Sequence, residues 1–473
     1  MKYISTRGTA PVLDFEDTLL AGLATDGGLY VPESWPRLSR ETLATFKDKS
    51  YAEVAYEVLQ PFIGGTPDND RFREILQSAY QAFEVPEVAP VVPLGGQHYL
   101  LELFHGPTLA FKDVAMQLLA RLMDEALARR GRRATIIGAT SGDTGGAAIE
   151  AFRGLENIDI FIFFPKGRVS DVQRKQMTTP TDSNVHALAI EGTFDDCQAL
   201  VKDMFNDADF RQETGLAGVN SINWARVMAQ TVYYFTASAQ LGGPDKEIAF
   251  SVPTGNFGDI FAGYVAKQMG LPIAQLMIAT NINDILARVL KTGIYEIGDV
   301  VASTSPSMDI QVSSNFERLL FEATGRNAGE VCRLMGELAE KRKFSLSPDV
   351  LDVMRASFAA ERVDEVETAK IIKDMFETDE MLLDPHTAVG YGAALRSDLP
   401  TSTPIVTLAT AHPAKFPASV EKACNRQAEE IIDTPERVQV MMKQDEKYET
   451  YPNELAGVQD FIRQKKLTEA VRH

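Results

Sequence analysis

Cysteine is scarce in this 473-residue chain, and the little there is forms no pattern. Cys197, Cys332 and Cys424 are odd in number and widely spaced, which excludes a disulfide framework and a paired-cysteine metal centre. Three reduced thiols in a cytosolic protein, with no metal site, are the expectation. Long apolar runs are missing too. No stretch approaches the ~18 apolar residues of a membrane span, and Met1 to Gly8 lacks the apolar core of a secretion signal. Positive charge is in short supply: 47 Lys and Arg face 66 Asp and Glu, a net charge of −19. That balance excludes a surface built to neutralise a phosphate backbone, so nucleic acid is not an expected partner. The nearest approach to a basic cluster, Arg129-Arg130-Gly131-Arg132-Arg133, reads as a helix end, where cations cover the last carbonyls. The chain is expected to be soluble and cytoplasmic.

What is present is ordinary globular material, 45% hydrophobic and 24% charged, long enough for several domains. Residues 1–95 read as a mainly helical N-terminal portion, with turns at Ala24–Gly28 and Val31–Glu33. From Tyr99 the pattern changes to strand, glycine-rich turn, helix and strand. Strands are expected at Ala134–Gly138, Ile158–Phe164, Ile248–Val252, Ile273–Thr280 and Pro404–Ala409. Such βαβ units imply parallel sheets covered by helices. The expected organisation is a large α/β domain from 96–130 and 221–473, with a helical insertion near 315–380 free of strands, and a smaller mobile α/β lobe at 131–220.

Three segments carry chemistry. Gly106-Pro107 reads as a turn before a helix that runs to Gly131, with apolar positions 115, 118, 119, 122, 123, 126 and 127 on its buried face. Asp113 is expected to cap that helix. Lys112 therefore stands on a defined support next to Phe111, where a desolvated lysine can lose its proton and form a Schiff base. Thr140-Ser141-Gly142-Asp143-Thr144-Gly145-Gly146 and Pro253-Thr254-Gly255-Asn256-Phe257-Gly258 each join a strand to a helix and present main-chain N–H groups that suit an anion. Neither matches a nucleotide fingerprint. One loop could hold a cofactor phosphate and the other a substrate carboxylate.

With these motifs the chain resembles the threonine synthases. The match extends from Thr25–Pro32 through His105–Asp113, Ala139–Gly145, Pro253–Gly258, Ser307–Ile310 and Ser313–Asn315 to Asp384–Gly390 and Thr410–Phe416. The resemblance implies a fold type II pyridoxal-phosphate enzyme, similar to the tryptophan synthase β-subunit, with two α/β lobes of parallel-rich sheets. It implies pyridoxal 5′-phosphate joined to Lys112 as a Schiff base, its phosphate on Gly255, Asn256, Phe257 and Gly258 with help from Thr254. A neutral hydroxyl, Thr410 or else Thr407, would face the pyridine nitrogen. Asp143 stands where related dehydratases usually carry Asn, so its role near the cofactor is left open.

The implied substrate is O-phospho-L-homoserine, converted with water to L-threonine and phosphate. Thr140 and Ser141 would hold its carboxylate. Its phosphate would draw on Ser313, Ser314, Asn315 and Arg318, or on Asn223 with Arg226. Arg318 could instead be a solvated helix residue paired with Glu, and His386 either a general acid or a buried structural imidazole. Two alternatives stay open: a phospho-lyase that releases 2-oxobutyrate, and a non-catalytic, anion-binding descendant. Relatives with this N-terminal form imply a monomer.

Overall fold

The computed structural model describes residues 1–140 and 142–470. Two sheets organise the chain. The larger has six strands in the order Phe358–Arg362, Ile273–Thr280, Ile248–Pro253, Ile405–Ala409, His98–Glu102 and Val91–Gly95, all parallel except the last pair. The smaller has five parallel strands, Glu449–Pro452, Val185–Glu191, Ile158–Pro165, Ala134–Ala139 and Leu216–Ala217. Ile158–Pro165 is buried at every position, as a central parallel strand covered on both faces must be.

Helix Lys112–Arg129 lies at the centre of the main core. Every apolar position expected on its inner face is buried, and so are Val114, Met116 and Ala120. A helix buried over most of its surface is one enclosed by neighbours, here Phe15–Ala21, Asn69–Tyr80, Asp143–Phe152 and Trp224–Gln240. The N-terminal portion packs into this core through Phe62, Phe72 and Leu76.

Several expectations need correction. Tyr30–Pro32 is a strand, antiparallel to Tyr3–Ser5, where a turn was expected. The helical region 315–380 contains the short strand Lys343–Ser345 and the sheet-edge strand Phe358–Arg362. The latter, Phe-Ala-Ala-Glu-Arg, has a single strong β-former; its place comes from pairing with Ile273–Thr280, not from propensity. The C-terminal segment, assigned above to the large domain, instead adds Glu449–Pro452 to the smaller sheet, and helix Leu455–Ala470 packs Val458, Phe461 and Ile462 into that lobe's core. Strand Val185–Glu191 was not anticipated, because its Ala and His residues dilute the apolar run.

Candidate active site

The segment bearing Lys112 is fastened on both sides. Leu103 N–H donates to the Ala409 carbonyl at 3.0 Å, Phe111 N–H to the Thr410 carbonyl at 2.8 Å, and His412 N–H to the Leu109 carbonyl at 3.1 Å. Asp113 does not cap the helix. Its carboxylate accepts from the N–H and hydroxyl of Thr108, both at 2.7 Å, and so ties down the preceding turn. Gly106 is obligatory there, since a Cβ would lie 2.5 Å from that of Asp113.

Lys112 opens onto a cavity of about 800 Å³, to which the loops after Ala139, Pro253 and Ala409 contribute. All three loops follow the carboxyl ends of parallel strands, where open α/β sheets bind ligands. Burial lowers the pKa of Lys112, the Asp143 carboxylate 3.6 Å away opposes that shift, and the charges of Lys415 and Arg226 add to it. The Lys112 ammonium also lies 4.6 Å from the Phe111 ring centroid.

The loop after Pro253 is built to present amides. Its carbonyls are engaged from outside: Gly255 accepts from the Ser313 hydroxyl at 2.7 Å, and Asn256 from Asn315 N–H and Nδ2 at 3.0 and 2.9 Å. Phe257 adopts a left-handed conformation (φ +63°), held by ring contacts with Phe316 and Phe358. A bulky residue in that region is strained, and strain of this kind collects at ligand sites. Among the described residues, the N–H groups of Gly255, Asn256, Phe257 and Gly258 donate to no protein acceptor. They stand at the start of helix Gly258–Gln268, a ready cradle for a phosphate. Thr254 lines the cavity, but its hydroxyl donates to the Val252 carbonyl.

In the other loop, the Thr140 hydroxyl accepts from the N–H groups of Gly142 and Gly145 at 2.9 and 3.0 Å and so shapes the turn. Ser141 lies outside the described residues. Asp143 lines the cavity, as does Thr410. Thr407 does not; it sits within the sheet beneath Gly390, so Thr410 is the hydroxyl that reaches the site.

The expected substrate-phosphate residues divide. Arg226 lines the cavity, buried, with Nη1 on the Val219 carbonyl at 3.3 Å and Nε without a partner among the described residues. Burial draws its pKa down to about 10. Ser313, Ser314 and Asn315 stand behind the phosphate cradle as its buttress. Asn223 caps helix Trp224–Gln240 and donates to the Leu19 carbonyl at 2.9 Å. Arg318 is neither solvated nor at the cavity. Its guanidinium donates to the Tyr30 carbonyl at 3.1 and 2.9 Å, to the Ile222 carbonyl at 2.7 Å and to Asn315 Oδ1. Removing it strands these acceptors, so Arg318→Ala is expected to cost about 3 kcal/mol or more of stability in a denaturant titration.

Three contributors carry roles that sequence reasoning left unassigned. Lys415 reaches the site from a tight turn after strand Ile405–Ala409 and pairs with Asp143 at 3.0 Å. Residues Pro306–Val312 form one wall, held by His386, whose Nε2 accepts from Ser307 N–H at 3.2 Å while Nδ1 meets Asp384 at 2.9 Å. Both ring nitrogens are thus occupied. Asp259 lines the cavity from the first turn of its helix and accepts from the hydroxyls of Tyr233 and Tyr234, with Oδ2 unpartnered.

Burial raises the Asp259 pKa from 3.8 to about 7, against the pull of the tyrosine hydrogen bonds. Between those values the folded chain holds a proton that the unfolded chain has released, so rising pH erodes stability across that window. Asp259→Asn is expected to gain stability relative to the parent as pH rises from 3.8 towards 7, and to level off above. Thermal unfolding of both proteins across this range measures the difference.

The comparisons with known proteins agree with this geometry. Family profiles described as "Threonine synthase N terminus", "Pyridoxal-phosphate dependent enzyme" and "Threonine synthase, C-terminal" match residues 2–80, 89–411 and 387–462. Threonine synthase of Pseudomonas aeruginosa is 52% identical, covering 98% of each chain. The chain belongs to the threonine synthase family. The crystal structure of pyridoxal-phosphate-bound threonine synthase from Brucella melitensis superposes with a TM-score of 0.96 at 56% identity, over 98% of this chain and 99% of that one. The threonine synthase structure from Escherichia coli gives 0.81 at 31% identity, over 98% and 100%. The fold is that of the type II pyridoxal-phosphate enzymes, and the chain is a pyridoxal-phosphate-dependent lyase with threonine synthase function. The residues present fit that cofactor: a buried amine, four unpaired amides at a helix start and a hydroxyl on the opposite strand end. No helix among the described residues is long and apolar enough to cross a membrane.

Proposed function

We propose that the cavity around Lys112 converts O-phospho-L-homoserine and water to L-threonine and phosphate. The observation that carries this reading is the meeting, at one cavity, of a buried lysine and four main-chain N–H groups with no protein acceptor among the described residues. Lys112 would hold pyridoxal phosphate through its amine, the Gly255–Gly258 amides beside Thr254 would hold the cofactor phosphate, and Thr410 would meet the pyridine nitrogen. Bound there, the cofactor supplies an electron sink for charge that develops on the substrate carbons.

The remaining work falls to the chain itself. Lys112 has its pKa depressed by burial and can therefore take the proton from the substrate Cα as a neutral amine, and later return it. Thr140 with the amides of its loop supports a role in orienting the substrate carboxylate. Arg226 has no carboxylate partner at its Nε, which makes it our choice over Arg318 and Asn223 for the substrate phosphate. Phe194 and Gln198 of the smaller lobe face the cavity together with Val300 and Val312 of the larger, and closure of the lobes on substrate would exclude water before phosphate leaves. We propose further that the protein acts as a monomer in the cytoplasm, apart from nucleic acid.

Incubation of the holoenzyme with O-phospho-L-homoserine, followed by NMR of the products, tests the reading. Threonine with equimolar phosphate is expected; 2-oxobutyrate alone would overturn it in favour of a lyase. Arg226→Gln is expected to raise KM for O-phospho-L-homoserine roughly 10- to 100-fold, the loss of a charge-assisted contact to phosphate. Steady-state kinetics measures it.

A further inference from the structure

Asp143 lies between two lysines. Its Oδ2 is 3.6 Å from Lys112 Nζ, its Oδ1 is 3.0 Å from Lys415 Nζ, and Gln173 Nε2 donates to Oδ1 at 2.9 Å. All three charged groups are buried, and Lys415 completely so. Lys415 is also fixed from its other side, donating to the Thr108 carbonyl at 2.6 Å and to Gln176 Oε1 at 3.2 Å. Gln176 donates in turn to that carbonyl at 2.9 Å, and Thr108 is held by Asp113. Among the described residues the ammonium therefore has one ion pair, with Asp143, the Asp113 carboxylate within electrostatic reach, and a rigid mount.

A mount of this kind is costly unless the charge serves a purpose, because taking an ammonium out of water is repaid only by a well-placed partner. Asp143 needs such a partner. When Lys112 gives up its positive charge to act as a base, the Asp143 carboxylate would be left buried without a counter-ion were Lys415 absent. Burial alone would raise the Asp143 pKa; Lys415 first, and Lys112 second, hold it well below the ordinary carboxylate range.

We propose that Lys415 is a positioning residue for the reaction: it keeps the Asp143 carboxylate ionised and fixed 3.6 Å from the Lys112 amine, whatever the charge on that amine. The inference deepens the reading above and rests on Lys112 being the cofactor-bearing lysine. Lys112 then faces Asp143, set against the cations Lys415 and Arg226, with Asp195, Asp259, Asp309 and His386 the other titratable groups that line the cavity among the described residues, Asp259 within electrostatic reach of Lys112. The two members of the pair act on Lys112 with opposite sign. Asp143 raises its proton affinity and Lys415 lowers it.

The test is the pH dependence of Lys112 acetylation by a trace of acetic anhydride, in the full-length chain freed of cofactor and read by mass spectrometry. Lys415→Gln keeps a donor for the Thr108 carbonyl but no charge, and is expected to move the Lys112 midpoint upward by roughly one pH unit. Asp143→Asn is expected to move it downward by a similar amount, and Lys415→Arg to leave it near the parent value. A folded Lys415→Gln protein with an unchanged midpoint would reduce Lys415 to a structural brace and overturn the proposal. So would a shift of both variants in the same direction. If Lys415→Gln does not fold, the near-isosteric Asp143→Asn carries the test, and absence of its downward shift overturns the proposal. Retention of the cofactor's visible absorption by Lys112→Ala would sink the underlying reading instead, and the acetylation midpoints would still report on the charge relation.

Discussion

Lys112→Ala is expected to reduce threonine formation by roughly 10³-fold or more, because in the proposed reaction one amine would serve both as cofactor anchor and as proton carrier at Cα. The variant should fold. The substitution removes a side chain at the cavity wall, and Asp143 keeps its contacts with Lys415 and Gln173. Two readouts separate loss of chemistry from loss of structure. Phosphate release from O-phospho-L-homoserine should fall to near background, while the thermal unfolding midpoint of the cofactor-free protein should stay within a few degrees of the parent or rise, as a buried amine near other cations is relieved. The visible absorption that marks linked cofactor should disappear as well.

Gly255→Ala is expected to weaken cofactor binding roughly 30- to 100-fold, equivalent to the ~2–3 kcal/mol of overpacking strain that an unrelieved clash imposes. The added Cβ would lie 2.5 Å from the Ser307 carbonyl oxygen, closer than real Cβ contacts come. That oxygen is main chain, and its peptide neighbour, Ser307 N–H, is held by His386. Nor can the Gly255 carbonyl shift freely, since the Ser313 hydroxyl holds it. The loop must therefore tilt, taking the four amides out of register with a phosphate. Fluorescence titration of the cofactor-free variant with pyridoxal phosphate measures the loss, and titration with inorganic phosphate should show a similar one.

What the sequence displays and what it hides divide along a physical line. Strands Ile158–Pro165, Ile248–Pro253 and Ile273–Thr280 are apolar and locally self-consistent, and the glycine loops that follow Ala139 and Pro253 stand out by their local composition. Phe358–Arg362 and Glu449–Pro452 are strands only because a neighbouring strand accepts them, and their own residues do not say so. The same division holds in the site. Lys112 was readable because its turn and helix are local. Lys415 was visible as a residue but not as a participant, for its reach depends on 303 residues of chain returning to Lys112 and on Asp143 meeting it there. Asn223 and Arg318 carry side chains typical of phosphate ligands, yet they serve carbonyls that arrive from Leu19 and Tyr30, far away in sequence. Asp113 looked like a helix cap by position, whereas Thr108 claims its carboxylate.

The central claim is that Lys112, and not its buried neighbour Lys415, bears the cofactor. Reduction of the holoenzyme with borohydride fixes pyridoxal phosphate to the amine that holds it, and proteolysis with mass spectrometry locates the modified residue. The account predicts a single modified lysine, Lys112. Modification at Lys415 or at any other lysine, with Lys112 unmodified, would contradict it.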